Sequence, residues 1–195
     1  MYVRAALVSL TVIFLMSDSS AQGKRFDTTM KIGRVGYRVY SNNKNDELNN
    51  LTVSPIGFEK EAREINTQVK GRVNRAEVDD LNNDGFPDLV MYITNAGAKV
   101  KTTIFAITSE KNQGYAPIFF PDIYDDQKLR IGYQGNDQFS LMEGMLTRRF
   151  PLYNMTDTAN IVPTGMFRQV QYRVMSGDRG ELKFKVTRSY DYGKQ

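Results

Sequence analysis

The stretch "QVQYRVMSGDRGELKFKVT" (Gln169 to Thr187) holds two alternating runs around a turn. In the first, Val170, Tyr172 and Val174 alternate with Gln169, Gln171 and Arg173. In the second, Leu182, Phe184 and Val186 alternate with Glu181, Lys183, Lys185 and Thr187. Successive side chains of an extended strand point to opposite faces, so each run reads as a half-buried strand. The intervening "MSGDRG" (Met175 to Gly180) offers two glycines and Asp178 for a hairpin turn, which makes the two runs antiparallel neighbours.

The same pattern recurs upstream in "VGYRVYS" (35–41), "LTVSPIG" (51–57), "TQVKGRVNRAEV" (67–78), "DLVMYIT" (88–94), "TTIFAIT" (102–108) and "FSLMEGMLTRRFPLY" (139–153). Polar clusters such as "SNNKNDELNN" (41–50) and "SEKNQG" (109–114) separate the runs. Many short strands with almost no helical period predict an all-β chain, a single-domain antiparallel β-sandwich of about eight strands. The stretch with most helical character is "FEKEAREI" (58–65). No interior linker, repeat or low-complexity tract divides residues 22–195, which are expected to form one domain.

Residues 1–21 read differently. Arg4, the short apolar run Ala5 to Met16 and the small residues Ser19 to Ala21 form a secretory signal peptide cut before Gln22. The run is shorter than the roughly 20 residues that span a bilayer, and no later segment is more apolar. The mature chain is therefore expected in the periplasm or secreted, with no membrane span. With no cysteine there is no acylation site, and export without disulfides points toward a bacterial envelope.

Composition excludes whole classes of chemistry. Without histidine or cysteine the chain cannot build a Ser-His-Asp or Cys-His site, a zinc finger or a histidine-ligated transition metal. No cofactor is indicated, and the metals still open are the oxygen-binding cations calcium and magnesium. The net charge of +4 comes without a basic, aromatic-interleaved run, so no nucleic acid is expected as partner.

One loop fits such a cation. In "VDDLNNDGFPDLV" (78–90), Asp80, Asn82 and Asp84 would supply side-chain oxygens, Phe86 its carbonyl and Asp88 a ninth-position carboxylate, with Gly85 at the bend. Met91 stands where an EF-hand needs its bidentate acid, and the flanks are strand-like, so a calcium loop here would be of the strand-loop-strand kind found in integrin-type propeller repeats. Asp, Asn and Gly also suit any tight turn. Calcium and a plain turn are both compatible with these residues.

The loop belongs to a longer pattern. "AEVDDLNNDGFPDLVMYITNAG" (76–97), "GYQGNDQFSLMEGMLTRRFPLY" (132–153) and "PTGMFRQVQYRV" (163–174) resemble the periplasmic inhibitors of invertebrate-type lysozyme from Gram-negative bacteria. The most specific residues are Gly132, Tyr133, Gly135, Asp137, Phe139, Arg148 to Pro151, Pro163 to Gly165 and Arg168. The resemblance implies an antiparallel sandwich able to form a homodimer, and a non-enzymatic protein that binds a protein partner, in the family a lysozyme. There a Ser-Gly-x-Tyr loop enters the lysozyme cleft. The corresponding loop here runs from Asn95, with Ala98, Lys99, Val100 and Lys101 in place of the four motif residues. Serine and tyrosine are replaced, and a lysine does not reproduce the rigid contact of a tyrosine. The alternative expectation is an envelope structural or ligand-binding module with a calcium-stabilised loop.

Two smaller features bear on chemistry. Arg148 and Arg149, in "LTRRFP" (146–151), suit a basic binding edge, a solvated face or an internal carboxylate clamp, and Asp137 with Glu143 is the pair a glycosidase would need to hold at a fixed separation.

Overall fold

The computed structural model describes residues 25–59, 62–95, 100–156 and 160–193. The signal peptide expected at 1–21 lies outside them. Twelve strands fall into two sheets. β1 (Phe26–Ile32), β2 (Val35–Ser41), β3 (Asn49–Ile56) and β4 (Ile65–Val69) form a four-stranded antiparallel meander. β5 (Arg72–Asp79), β6 (Asp88–Asn95), β7 (Lys101–Ser109), β8 (Tyr115–Phe119), β9 (Gln138–Met142), β10 (Met145–Asn154), β11 (Val162–Ser176) and β12 (Leu182–Gly193) form the second sheet, in the order β5-β6-β7-β8-β12-β11-β10-β9. No helix among the described residues is long and apolar enough to cross a membrane.

The larger sheet coils on itself like a barrel. Its inward side chains, among them Val90, Ile104, Ile118, Phe184, Val170 and Phe150, come from six strands and meet in one core. Its end strands approach through single contacts: Arg75 Nη2 donates to the Phe139 carbonyl at 2.7 Å, and the Gly144 amide donates to Asp79 Oδ2 at 2.8 Å. The smaller sheet covers the outside of β5 to β7, where Tyr37, Val39, Leu51 and Val53 pack on Val73, Leu89, Met91 and Ile107. Tyr37 closes this layer by donating its hydroxyl to the Pro87 carbonyl at 3.0 Å.

β6 belongs to both cores. Val90 and Tyr92 face the barrel interior, while Leu89, Met91 and Ile93 face the smaller sheet. Burial on both faces explains why "DLVMYIT" is a nearly continuous apolar run, since neither face needs polar residues. Each fully buried aliphatic side chain is worth about 1.5–3 kcal/mol, so β6 is anchored strongly from both sides.

All-β architecture with two packed layers agrees with the sequence, but about eight strands becomes twelve, for local reasons. "TQVKGRVNRAEV" is two strands in different sheets, parted at Lys70 and Gly71. Gly71 has φ +114°, and a Cβ there would lie 2.6 Å from the Thr94 carbonyl oxygen. Buried amides stand in for strand partners at this crossing. Asn43 donates to the Val73 carbonyl and accepts its N–H, and Asn49 donates to the Gly71 carbonyl. "FSLMEGMLTRRFPLY" likewise splits into β9 and β10, with Glu143 and Gly144 both at positive φ in a two-residue turn. The helix expected at 58–65 does not form in its described part: β4 begins at Ile65, and Lys60 and Glu61 lie outside the described residues. β1 and β8 carry no strong alternation, and the sequence pattern does not announce them. Pairing is antiparallel except between β8 and β12, which touch in parallel at Ile118 with Leu182 and Phe119 with Lys183.

Since β6 serves both cores, Val90→Ala and Met91→Ala should each cost about 1–4 kcal/mol and lower one common transition. Calorimetry and circular dichroism check this; two separated transitions in either variant would show that the sheets unfold independently.

Candidate functional site

The hairpin joining β6 and β7 is closed at its base by Asn95, whose Oδ1 accepts the Lys101 amide at 2.9 Å. Ala98 and Lys99 lie outside the described residues. Val100 is exposed, and its carbonyl accepts the Asn136 amide at 2.7 Å. Lys101 does not stand free: its ammonium lies 4.3 Å from the Tyr124 ring centre and 5.9 Å from that of Tyr133. Tyr124 escaped the sequence reading because a tyrosine in a single 3-10 turn, Ile123–Asp125, carries no periodic signal.

The segment beside this hairpin contains Gly132, Tyr133, Gly135, Asp137 and Phe139. Gly135 has φ +88°, and a Cβ there would sit 2.5 Å from the Val100 carbonyl oxygen, so the close approach of the two loops requires glycine. The Asp137 side chain is fully buried. One carboxylate oxygen accepts Arg148 Nε at 2.8 Å; the other accepts the Tyr133 hydroxyl at 2.6 Å and the Thr102 amide at 3.3 Å. Arg148 Nη2 donates to the Tyr133 oxygen at 2.9 Å, and its guanidinium is ringed by Tyr133, Phe139, Phe150 and Phe120. Burial opposes the charge on Arg148, but the Asp137 carboxylate outweighs it and leaves the guanidinium more firmly protonated than usual. Burial also pushes the Tyr133 phenol well above the ordinary range, so its hydroxyl stays a donor. A cavity of about 250 Å3 opens beside Arg148, lined also by Lys101, Thr103, Phe120 and Asp125.

The two arginines separate. Arg148 is the internal carboxylate clamp, whereas Arg149 points outward and lies 4.3 Å from the Phe167 ring centre. Arg168 is also committed to the fold. It grips Asp191 through two hydrogen bonds and donates Nη1 to the carbonyls of Lys128, Leu129 and Ile131, which holds the segment leading to Tyr133. The glycosidase pair is not assembled. Asp137 is locked to Arg148 and Glu143 sits in an exposed turn beyond β9. At about 3.3 Å of rise per residue, the intervening extended strand places them on the order of 20 Å apart, beyond the 5–9.5 Å that such chemistry uses.

The aspartate loop closes through its own hydrogen bonds. Asp80 accepts the amides of Asp84 and Gly85, Asn82 Oδ1 accepts the Asp84 amide, and Asp84 accepts the Phe86 amide and the Asn82 side chain. Asp88 faces inward, accepting the Leu81 amide, the Thr108 hydroxyl and the Ser109 amide. Among the described residues no group of three or more acidic side chains is disposed to hold a metal ion. Burial outweighs the three donors to Asp88 and pushes its carboxyl up to about 6.

No family model matches the chain, and no curated protein matches it either.

Three outcomes follow from this geometry. Arg148→Met leaves the Asp137 carboxylate buried and unpaired and should cost about 3–5 kcal/mol in denaturant unfolding, whereas the neighbouring Arg149→Met should cost less than about 1 kcal/mol. Because no group of three or more acidic side chains among the described residues is disposed to hold a metal ion, the wild-type melting temperature should be the same in millimolar calcium and in chelator. A calcium-dependent rise lost in Asp84→Ala would establish a cation there. Asp88 should titrate near 6 by carbon-detected NMR. Its folded pKa lies above the unfolded value of about 3.9, so its contribution to stability falls as pH rises from about 4 through 6.

Proposed function

We propose that the chain is an exported, non-catalytic domain that binds a protein partner through the β6–β7 hairpin, as kin of the periplasmic inhibitors of invertebrate-type lysozyme. The observation that carries this reading is the convergence of Tyr133, Gly135, Asp137 and Arg148 on the base of that hairpin. Asp137 accepts the Thr102 amide and Asn136 donates to the Val100 carbonyl, so the hairpin's second arm is tied at two points to the segment that holds the buried ion pair. Binding loops held by rigid strands lose little freedom on association, which is the benefit of such bracing.

Kinship and lysozyme inhibition are separate matters in this chain. Lys99 and Lys101 stand where the family has glycine and tyrosine, and Lys101 is drawn onto Tyr124. A sequence pI of about 9.2 also disfavours encounter with basic lysozymes and favours an acidic partner. Loss of the Ser-Gly-x-Tyr contacts predicts a changed partner on a retained loop.

The test uses mature protein beginning at Gln22 in pull-down and residual-activity assays with chicken-type, goose-type and invertebrate-type lysozymes. The native sequence should inhibit invertebrate-type lysozyme weakly or not at all. Ala98→Ser, Lys99→Gly and Lys101→Tyr together should restore measurable binding. Tight inhibition by the native protein, unchanged by Lys99→Ala with Lys101→Ala, would move the interface elsewhere. No binding by the restored form would remove the proposed kinship in function.

A further inference from the structure

The smaller sheet covers β5 to β7 and leaves the outer face of β9 to β12 open. Strand register places Arg149, Gln169 and Tyr190 side by side across three strands, with Pro151, Phe167 and Tyr192 in the next row. These side chains form one continuous platform. Phe167 and Tyr192 stack at 6.1 Å with 30° between their planes, Tyr190 lies 5.9 Å from Tyr192, and Gln169 Nε2 donates to the Tyr190 hydroxyl at 2.7 Å. Arg149 lies over Phe167 and Tyr192, and Arg188 lies 5.0 Å from the Tyr190 ring centre.

The charge of this face is one-sided. Its outward rows carry Arg149, Arg173, Lys183, Lys185 and Arg188 and no aspartate or glutamate, against a net charge of +4 for the whole chain. Among the described residues only Lys183 of these five has a carboxylate partner, Glu181 at 3.7 Å. Elsewhere Arg38 pairs with Asp27, Arg72 with Asp46 and Arg168 with Asp191. Arg149 is held by rings instead, and its Nε is buried with no hydrogen-bond partner. A cation kept on aromatic faces without a counter-ion retains its capacity for an anion from outside.

We propose that this face binds an anionic glycan. Its three chemical components match such a polymer: ring faces for the C–H faces of pyranoses, the amides of Gln169, Gln171 and Gln138 for sugar hydroxyls, and guanidinium and ammonium groups for carboxylates, sulfates or phosphates. Amides that both donate and accept suit a hydroxyl-rich chain better than a nucleic acid backbone, which offers acceptors at its phosphates. The platform is separate from the β6–β7 hairpin, so this binding does not depend on the proposed protein partner.

Affinity electrophoresis and calorimetry of the mature protein with polygalacturonate, heparin and neutral dextran test the assignment. The two anionic polymers should bind and dextran should not. Tyr190→Ala with Tyr192→Ala, which leaves the charge unchanged, and Arg149→Gln with Arg188→Gln should each weaken binding roughly tenfold or more. Lys44→Gln with Lys70→Gln removes the same charge away from the platform and should change affinity less than about twofold. Variants are compared only where their melting matches the wild type, and the single Tyr190→Ala serves if the alanine pair does not fold. The proposal is overturned if neither polymer binds, if the distant lysine pair weakens binding as much as the arginine pair, or if the tyrosine variants bind normally. Tighter binding of a single-stranded oligothymidylate than of either glycan would overturn it in favour of a nucleic acid.

Discussion

A strand buried on both faces has no freedom to shift register, because a slip of one residue exchanges the contents of two cores at once. β6 is such a strand, and the rest of the molecule is arranged around it. Val90 and Tyr92 seat it in the barrel, while Leu89, Met91 and Ile93 seat it under the smaller sheet. A loop leaves this strand at each end. Asp88 opens it after the aspartate loop, and Asn95 closes it before the hairpin tip. The two loops singled out in the sequence are the two ends of the most constrained strand.

The barrel core is mostly apolar, which makes the buried Arg148–Asp137–Tyr133 cluster costly. Desolvation of both charges is offset only because every oxygen of Asp137 is met and the guanidinium lies among four rings. An apolar substitute would pack, but it would not hold the Thr102 amide. The cluster thus gives up stability for the placement of one loop, and a fully satisfied polar network is rigid enough to hold that placement.

Much of this was legible. Alternation found the strands whose two faces differ, and β2 runs over the residues its pattern marked. It could not see Gly71 as a break, because Val69 and Val73 on either side of it keep one phase, and the Thr94 carbonyl that requires glycine there comes close only in the fold. It missed β1 and β8, where exposed or irregular residues dilute the pattern. At the site, the arginine pair was visible but not its division into an inward and an outward member, since strand register decides that. Lys101 looked available because no sequence rule announces a tyrosine more than twenty positions away in its path.

The parallel contact between β8 and β12 has another side. It covers only Leu182 and Lys183, and no described strand pairs with that edge of β12 from Phe184 to Gly193. A row of unsatisfied N–H and C=O groups of this length is a template on which a second molecule can add a strand, the first step of uncontrolled aggregation. The edge is blunted by a register irregularity opposite Gln171 and Tyr172, and by Lys185, Arg188 and Asp191 along it. Colloidal behaviour is thus written into the open side of the barrel: the charges and the irregularity of β12 work against the addition of a further strand along its unpaired edge.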